Sequence, residues 1–216
     1  MTASLCVGAP SGRARAVCVL VHGRGQSPEE MQSHILSRLD CPEVAFVLPR
    51  APAGAWYAAR AVEKLTAETR SALCRALDHL SQDIAGARAA HAGLPLVLAG
   101  FSQGACLSLE YAFAGHSPPE ALVALTGCRV GVRADDRPRA LAPHLPVYLT
   151  GSDKDPWIPV TAFAEAALEL GEARARLRSD LFPDRGHEVS AAEIAMLQRV
   201  LDDTCARRAT DMAAPR

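Results

Sequence analysis

Short, unbroken apolar runs rich in Val and Leu recur along the chain at residues 16–21, 44–48, 94–100 and 146–150. A strand with one wet face alternates apolar and polar positions, so continuous runs of this length predict strands covered on both faces. Two weaker runs, 121–125 and around 175–182, fit the same role. Between these runs the apolar residues fall at helical spacing. Leu65, Leu73, Leu77, Leu80 and Ile84 do so within 63–90, and 104–114, 160–170 and 191–207 repeat the pattern. Strand alternating with helix predicts an α/β fold, a mostly parallel central sheet with helices on both faces. Breakers separate the elements: Pro42, the stretch 49–54, residues 93–95, Pro118 and Pro119, residues 143–146, and Gly171. There is no repeat, low-complexity tract or linker, so a single domain over 1–216 is expected. Its ends, about 1–14 and 208–216, read as loosely ordered.

Composition narrows the class. Half the chain is apolar (49%) and 22% is charged, enough to bury a core without disulfides or metal. Lys and Arg number 23 against 24 Asp and Glu, a net charge of −1, which gives no reason to expect nucleic acid as a partner. Seven cysteines form no C-x-x-C, and Cys18 and Cys106 lie inside apolar runs, as in a reduced cytoplasmic protein. No signal peptide is recognisable, and the longest apolar run is far short of the ~20 residues that span a bilayer, so no membrane insertion is expected.

In an open parallel sheet the chemistry gathers in loops at the C-terminal ends of the strands. One such loop holds Gly100-Phe101-Ser102-Gln103-Gly104, a G-x-S-x-G between a strand and a helix. Alone the pattern would arise by chance in roughly 7% of chains this long. Its flanks make it a sharp, strained turn that exposes Ser102 Oγ and sets the Gln103 N–H at a helix N-terminus. A serine nucleophile needs a base. His187, in the glycine-containing loop before the last helix, has the right place in the order Ser, acid, His. Asp153 and Asp155 both follow the strand at 146–150. Asp155 is preferred, because it lies deeper in the loop and Pro156 stiffens its backbone, while Asp153 has the alternative role of capping a turn. A second oxyanion donor fits the backbone N–H of Arg24 in His22-Gly23-Arg24-Gly25, with His22 packing that loop.

Together these loops resemble the phospholipase/carboxylesterase family of α/β-hydrolases, relatives of the acyl-protein thioesterases. The resemblance runs from about 16 to 198. It rests on Val21–Gly25, Trp56-Tyr57, Gly100–Gly104, Asp155-Pro156-Trp157-Ile158-Pro159 and Gly186-His187. It implies Ser102, Asp155 and His187 as a triad, with Arg24 and Gln103 supplying the oxyanion hole. Many relatives carry Leu at the position of Arg24, and Pro or Asp at that of Ala58, which bears on the acyl pocket. The Arg24 side chain has two open roles, a local salt bridge or contact with an anionic substrate group. The resemblance also leaves room for a homodimer.

The expected activity is a serine carboxylesterase acting on small to medium acyl esters through an acyl-enzyme, with a thioesterase or lysophospholipase as the alternative. The connection 127–145 is short, polar and broken by Pro138 and Pro143, too small for a lid domain. The site should therefore be open, with Trp56, Tyr57 and Trp157 as apolar walls, although core packing accounts for Trp56 equally well. No cofactor is implied. Gly23-Arg24-Gly25 fails the dinucleotide fingerprint because Pro28 takes the third glycine's place. No metal is implied either: no two histidines lie within ten residues of each other, and Cys18 and His22 sit about 13 Å apart along a strand. A cysteine at 102 would have suggested a dienelactone-type hydrolase. A catalytically silent interaction protein is opposed only by the presence of all three triad members.

Overall fold

The computed structural model describes residues 3–213. Seven strands share one sheet: β1 (Leu5–Gly8), β2 (Ala16–Val21), β3 (Val44–Leu48), β4 (Leu96–Phe101), β5 (Ala121–Leu125), β6 (Pro146–Ser152) and β7 (Arg176–Phe182). Their order is β1-β3-β2-β4-β5-β6-β7. Only β1 runs antiparallel, its Leu5 opposite Leu48 of β3. Five helices connect or flank them: α1 (Pro28–His34), α2 (Ala67–Ala90), α3 (Gln103–Phe113), α4 (Val160–Glu172) and α5 (Ala191–Cys205).

The continuous apolar runs divide between the two faces. Val17, Val19 and Val21 of β2, with Leu96 and Leu98 of β4, meet α2, α3 and α4. Cys18 and Leu20 of β2, with Val97 and Ala99 of β4, meet α1 and α5. Every residue of β2, β4 and β5 is buried, so each position adds to one core or the other. Such a Val or Leu gains about 1.5–3 kcal/mol from burial. Among the described residues, no helix is long and apolar enough to cross a membrane. All seven cysteines are free thiols.

Three features depart from the sequence reading. Within the N-terminal stretch read as loose, residues 1 and 2 lie outside the described residues, and Leu5–Gly8 pair along β3. At the other end Thr210 is buried and its carbonyl accepts from Arg176 Nη2 (3.0 Å), so the tail packs back at least that far. The connection between β5 and β6, expected to be merely polar, forms no helix or strand but is anchored from within. Arg129 is buried over the Phe113 ring (3.7 Å) and bridges Glu110 of α3 (2.7 Å) to Glu169 of α4 (2.8 Å), while Arg137 closes a further ion pair on Glu169.

The parallel strands all point their C-terminal ends toward one rim. The loops leaving β2, β4, β6 and β7 meet there, and these loops carry the expected chemistry.

Candidate active site

Ser102 occupies the turn between β4 and α3 with φ +55° and ψ −121°, a conformation that costs a non-glycine residue roughly 1–3 kcal/mol. The close approach of neighbouring backbone explains both flanking glycines. A Cβ at Gly100 would run into the Gly104 carbonyl, and one at Gly104 into the Val21 carbonyl. The Ser102 N–H donates to the Leu125 carbonyl (3.0 Å) and its C=O accepts from the Cys106 N–H (2.9 Å). The main chain is thereby pinned and the side chain aimed outward.

Three side chains from separate loops line up at this point. Ser102 Oγ lies 2.7 Å from His187 Nε2, and His187 Nδ1 lies 2.7 Å from Asp155 Oδ2. The other oxygen of Asp155 accepts the N–H groups of Trp157 (2.8 Å) and Ile158 (2.9 Å). Burial pushes the Asp155 carboxyl up, but the imidazole and these two N–H groups outweigh burial and hold it below its ordinary value. A carboxylate only accepts, so Nδ1 carries the proton and Nε2 is free to accept the Ser102 hydroxyl. Asp153 lies elsewhere: its Oδ1 accepts the Asp184 N–H (2.8 Å), tying the loop after β6 to the loop after β7.

Two backbone donors flank Ser102. The N–H groups of Arg24 and Gln103 have no hydrogen-bond partner among the described residues. A Cβ at Gly23 would stand 3.2 Å from Ser102 Cβ, so the loop bearing Arg24 runs alongside the hydroxyl. Gln103 opens α3, where the helix end is positive. Its side chain braces the neighbouring loop, accepting the Trp56 N–H (3.0 Å) and donating to the Tyr57 carbonyl (2.8 Å). His22 is buried, its Nδ1 donating to the Gly23 carbonyl (2.7 Å) and its Nε2 accepting the Ala51 N–H (3.0 Å). Burial lowers its proton affinity, and both ring nitrogens are occupied, so it packs the loop.

A cleft of about 220 Å³ opens in front of Ser102 and His187, bordered by Tyr57, Ala61, Cys106, Trp157 and Ile158. Of the three aromatics expected as apolar walls, Tyr57 and Trp157 border this cleft. Trp56 does not: it is 5% exposed, its indole N–H donates to the His22 carbonyl (2.9 Å), and it packs in the core. Four residues bordering the cleft, Arg60, Ala61, Cys106 and Ile158, were not among the site residues expected from the sequence. Cys106 follows Ser102 by four residues, so helical periodicity alone puts it on the same side of α3. Arg60 lies in an irregular stretch and carried no signal.

The loop bearing His187 is held from below. The Arg185 guanidinium pairs with Glu193, which is wholly buried in α5, and donates to Thr126 Oγ1 (3.0 Å). The same Glu193 accepts the Thr150 hydroxyl (2.5 Å) and the Ser190 N–H (2.7 Å), while Ser152 Oγ donates to the Arg185 carbonyl. Removing one partner of a buried ion pair strands the other charge. Arg185→Met should therefore cost about 3–5 kcal/mol in urea unfolding. A loss within 1 kcal/mol would mean that Glu193 needs no partner.

The family model for Phospholipase/Carboxylesterase matches residues 3–205. Among solved structures, a phospholipase/carboxylesterase from Dyadobacter fermentans is 27% identical with a TM-score of 0.82, over 93% of this chain and 96% of that one. Esterase PE8 is 24% identical (TM-score 0.78, covering 94% and 98%). Acyl-protein thioesterase 2 of Zea mays is 18% identical (TM-score 0.74, covering 94% and 98%). These last two likenesses speak for the fold alone. Among curated proteins none matches. With the family model spanning almost the whole sequence, and the sheet and loops arranged as described, this chain belongs to the phospholipase/carboxylesterase family of α/β-hydrolases.

Proposed function

We propose that the protein is a serine carboxylesterase that hydrolyses small to medium acyl esters. The carrying observation is the continuous path from Ser102 through His187 to Asp155 in two 2.7 Å steps, starting at a strained turn. In this reading Ser102 Oγ attacks the ester carbonyl while its proton passes to His187 Nε2. Asp155 keeps the other ring proton in place and stabilises the imidazolium. The oxyanion is received by the free N–H groups of Gln103 and Arg24, each such donor being worth roughly 3 kcal/mol. The alkoxide leaves as alcohol by taking the proton from His187. Water, deprotonated by the same imidazole, then attacks the acyl-enzyme and releases the acid and Ser102.

The dimensions of the cleft support the substrate size in this reading. Its volume of about 220 Å³ is below the ~300–1,000 Å³ usual for drug-sized ligands, and it opens to solvent at Trp157, which is 59% exposed. Short and medium chains fit such a trough better than the long chain of a lysophospholipid. The same apparatus would accept a thioester, whose carbonyl meets the same groups.

One experiment tests both parts. A fluorophosphonate probe should add once per chain, on Ser102, and block the hydrolysis of p-nitrophenyl esters. Across a series from acetate to dodecanoate, kcat/KM should peak at butyrate to hexanoate. Adducts on another residue would overturn the mechanism, and a rise continuing to dodecanoate would overturn the size reading.

A further inference from the structure

The cleft carries an imbalance of charge that simple ester hydrolysis does not require. Of the residues bordering it, two are arginines, Arg24 and Arg60, and none is a carboxylate. Neither guanidinium has an ion-pair partner among the described residues. Arg24 donates instead to the carbonyls of Ala58 (2.8 Å) and Ala59 (2.5 Å), which fixes the fork while leaving three of its five N–H groups available. The local salt bridge expected as one role for this side chain is therefore replaced by two neutral acceptors. Arg60 lies over the exposed Trp157 ring at 5.9 Å, within cation–π reach. Glu63 approaches Arg60 only through its backbone N–H (3.3 Å).

Two positive groups at one cleft, Arg24 pinned on two carbonyls and Arg60 exposed over Trp157, raise the local potential, and apolar walls focus it. A planar guanidinium fork also matches a carboxylate in shape and can hold it through paired hydrogen bonds. We infer that the favoured substrates are esters that bear a second group, a carboxylate, away from the scissile bond, received by Arg24 and Arg60 at the cleft mouth. This rests on the esterase reading above and names its substrate class. The anion binds equally in ground and transition states, so its effect falls mainly on KM.

The test uses matched pairs that differ only in charge. For the acyl side these are mono-p-nitrophenyl adipate and its methyl-capped diester. For the alcohol side they are para-carboxyphenyl butyrate and its methyl ester. With rates corrected for spontaneous hydrolysis, the anionic member of at least one pair should show a roughly three- to tenfold higher kcat/KM, as expected of one or two solvent-exposed ion pairs. The preference should fade in about 1 M sodium chloride, where the screening length shrinks to about 3 Å. It should narrow in Arg60→Gln and reverse in Arg60→Glu. Equal rates within both pairs, or a preference unchanged in Arg60→Glu, would overturn the inference while leaving the esterase intact. Failure to hydrolyse any of the four esters would overturn the esterase reading itself.

Discussion

Alanine at position 102 should lower kcat for a p-nitrophenyl ester by roughly 10⁴- to 10⁶-fold, as expected when a nucleophile acting in concert with its base is lost. Among the described residues, the hydroxyl is the one group in the cleft that both faces His187 Nε2 and sits beside two backbone N–H groups with no hydrogen-bond partner. Without it, the imidazole has nothing to deprotonate but water, and no acyl-enzyme can form. Fluorophosphonate labelling should disappear in the same variant. A companion substitution separates chemistry from folding. The φ of +55° at Ser102 is strained for any residue with a Cβ, so Ser102→Gly should melt higher, by about 1 kcal/mol of added stability, while being equally inactive. Hydrolysis by Ser102→Ala within tenfold of the parent would sink the nucleophile assignment. A destabilised Ser102→Gly would show that the turn is not where strain is held.

The central strands were legible because their signal is local: five or six consecutive apolar residues can be buried only between two layers. The G-x-S-x-G turn was legible for a related reason, since close backbone approach leaves room for nothing but hydrogen at Gly100 and Gly104. Elements whose burial is thin were missed. β1 buries little, and its four residues are too few for alternation to stand out. α1 does have a start signal, Ser27 capping the Glu30 N–H with Pro28 in the first turn, but within the helix Pro28 and Met31 alone are buried, with Ile35 just after it. Roles set by distant partners were also out of reach. Trp56 reads equally as a pocket aromatic or a core residue until its indole is seen to bond His22, 34 positions away. Arg185 and Glu193 carry no local sign of burial, yet both are buried near His187. Nothing in the chain order reveals that the loop after β7 folds down onto Thr126 and Ser152.

The choice between the two aspartates after β6 has the second large consequence. Asp155→Asn should reduce kcat by roughly 10⁴-fold, and the hydrogen bonds around the carboxylate explain why so small a change matters. One oxygen is claimed by the N–H groups of Trp157 and Ile158, so the asparagine carbonyl must take that place. Its amide NH₂ then faces His187 Nδ1, which becomes an acceptor and sends the ring proton to Nε2. The proton now points at Ser102 and the base is blocked. Asp153→Asn keeps an acceptor for the Asp184 N–H and should cost less than about threefold in kcat, since its carboxylate only ties two loops together. The reverse ranking would transfer the acid role to Asp153. A stability measurement gives an independent check. The folded Asp155 carboxyl ionises below its unfolded value of about 3.9, so its contribution is complete above that pH and is lost as pH falls toward the folded value. The parent should therefore lose more stability than Asp155→Asn on acidification from about pH 5 to pH 3, and parallel melting curves across that window would mean that the carboxylate is not held by the imidazole and the two N–H groups.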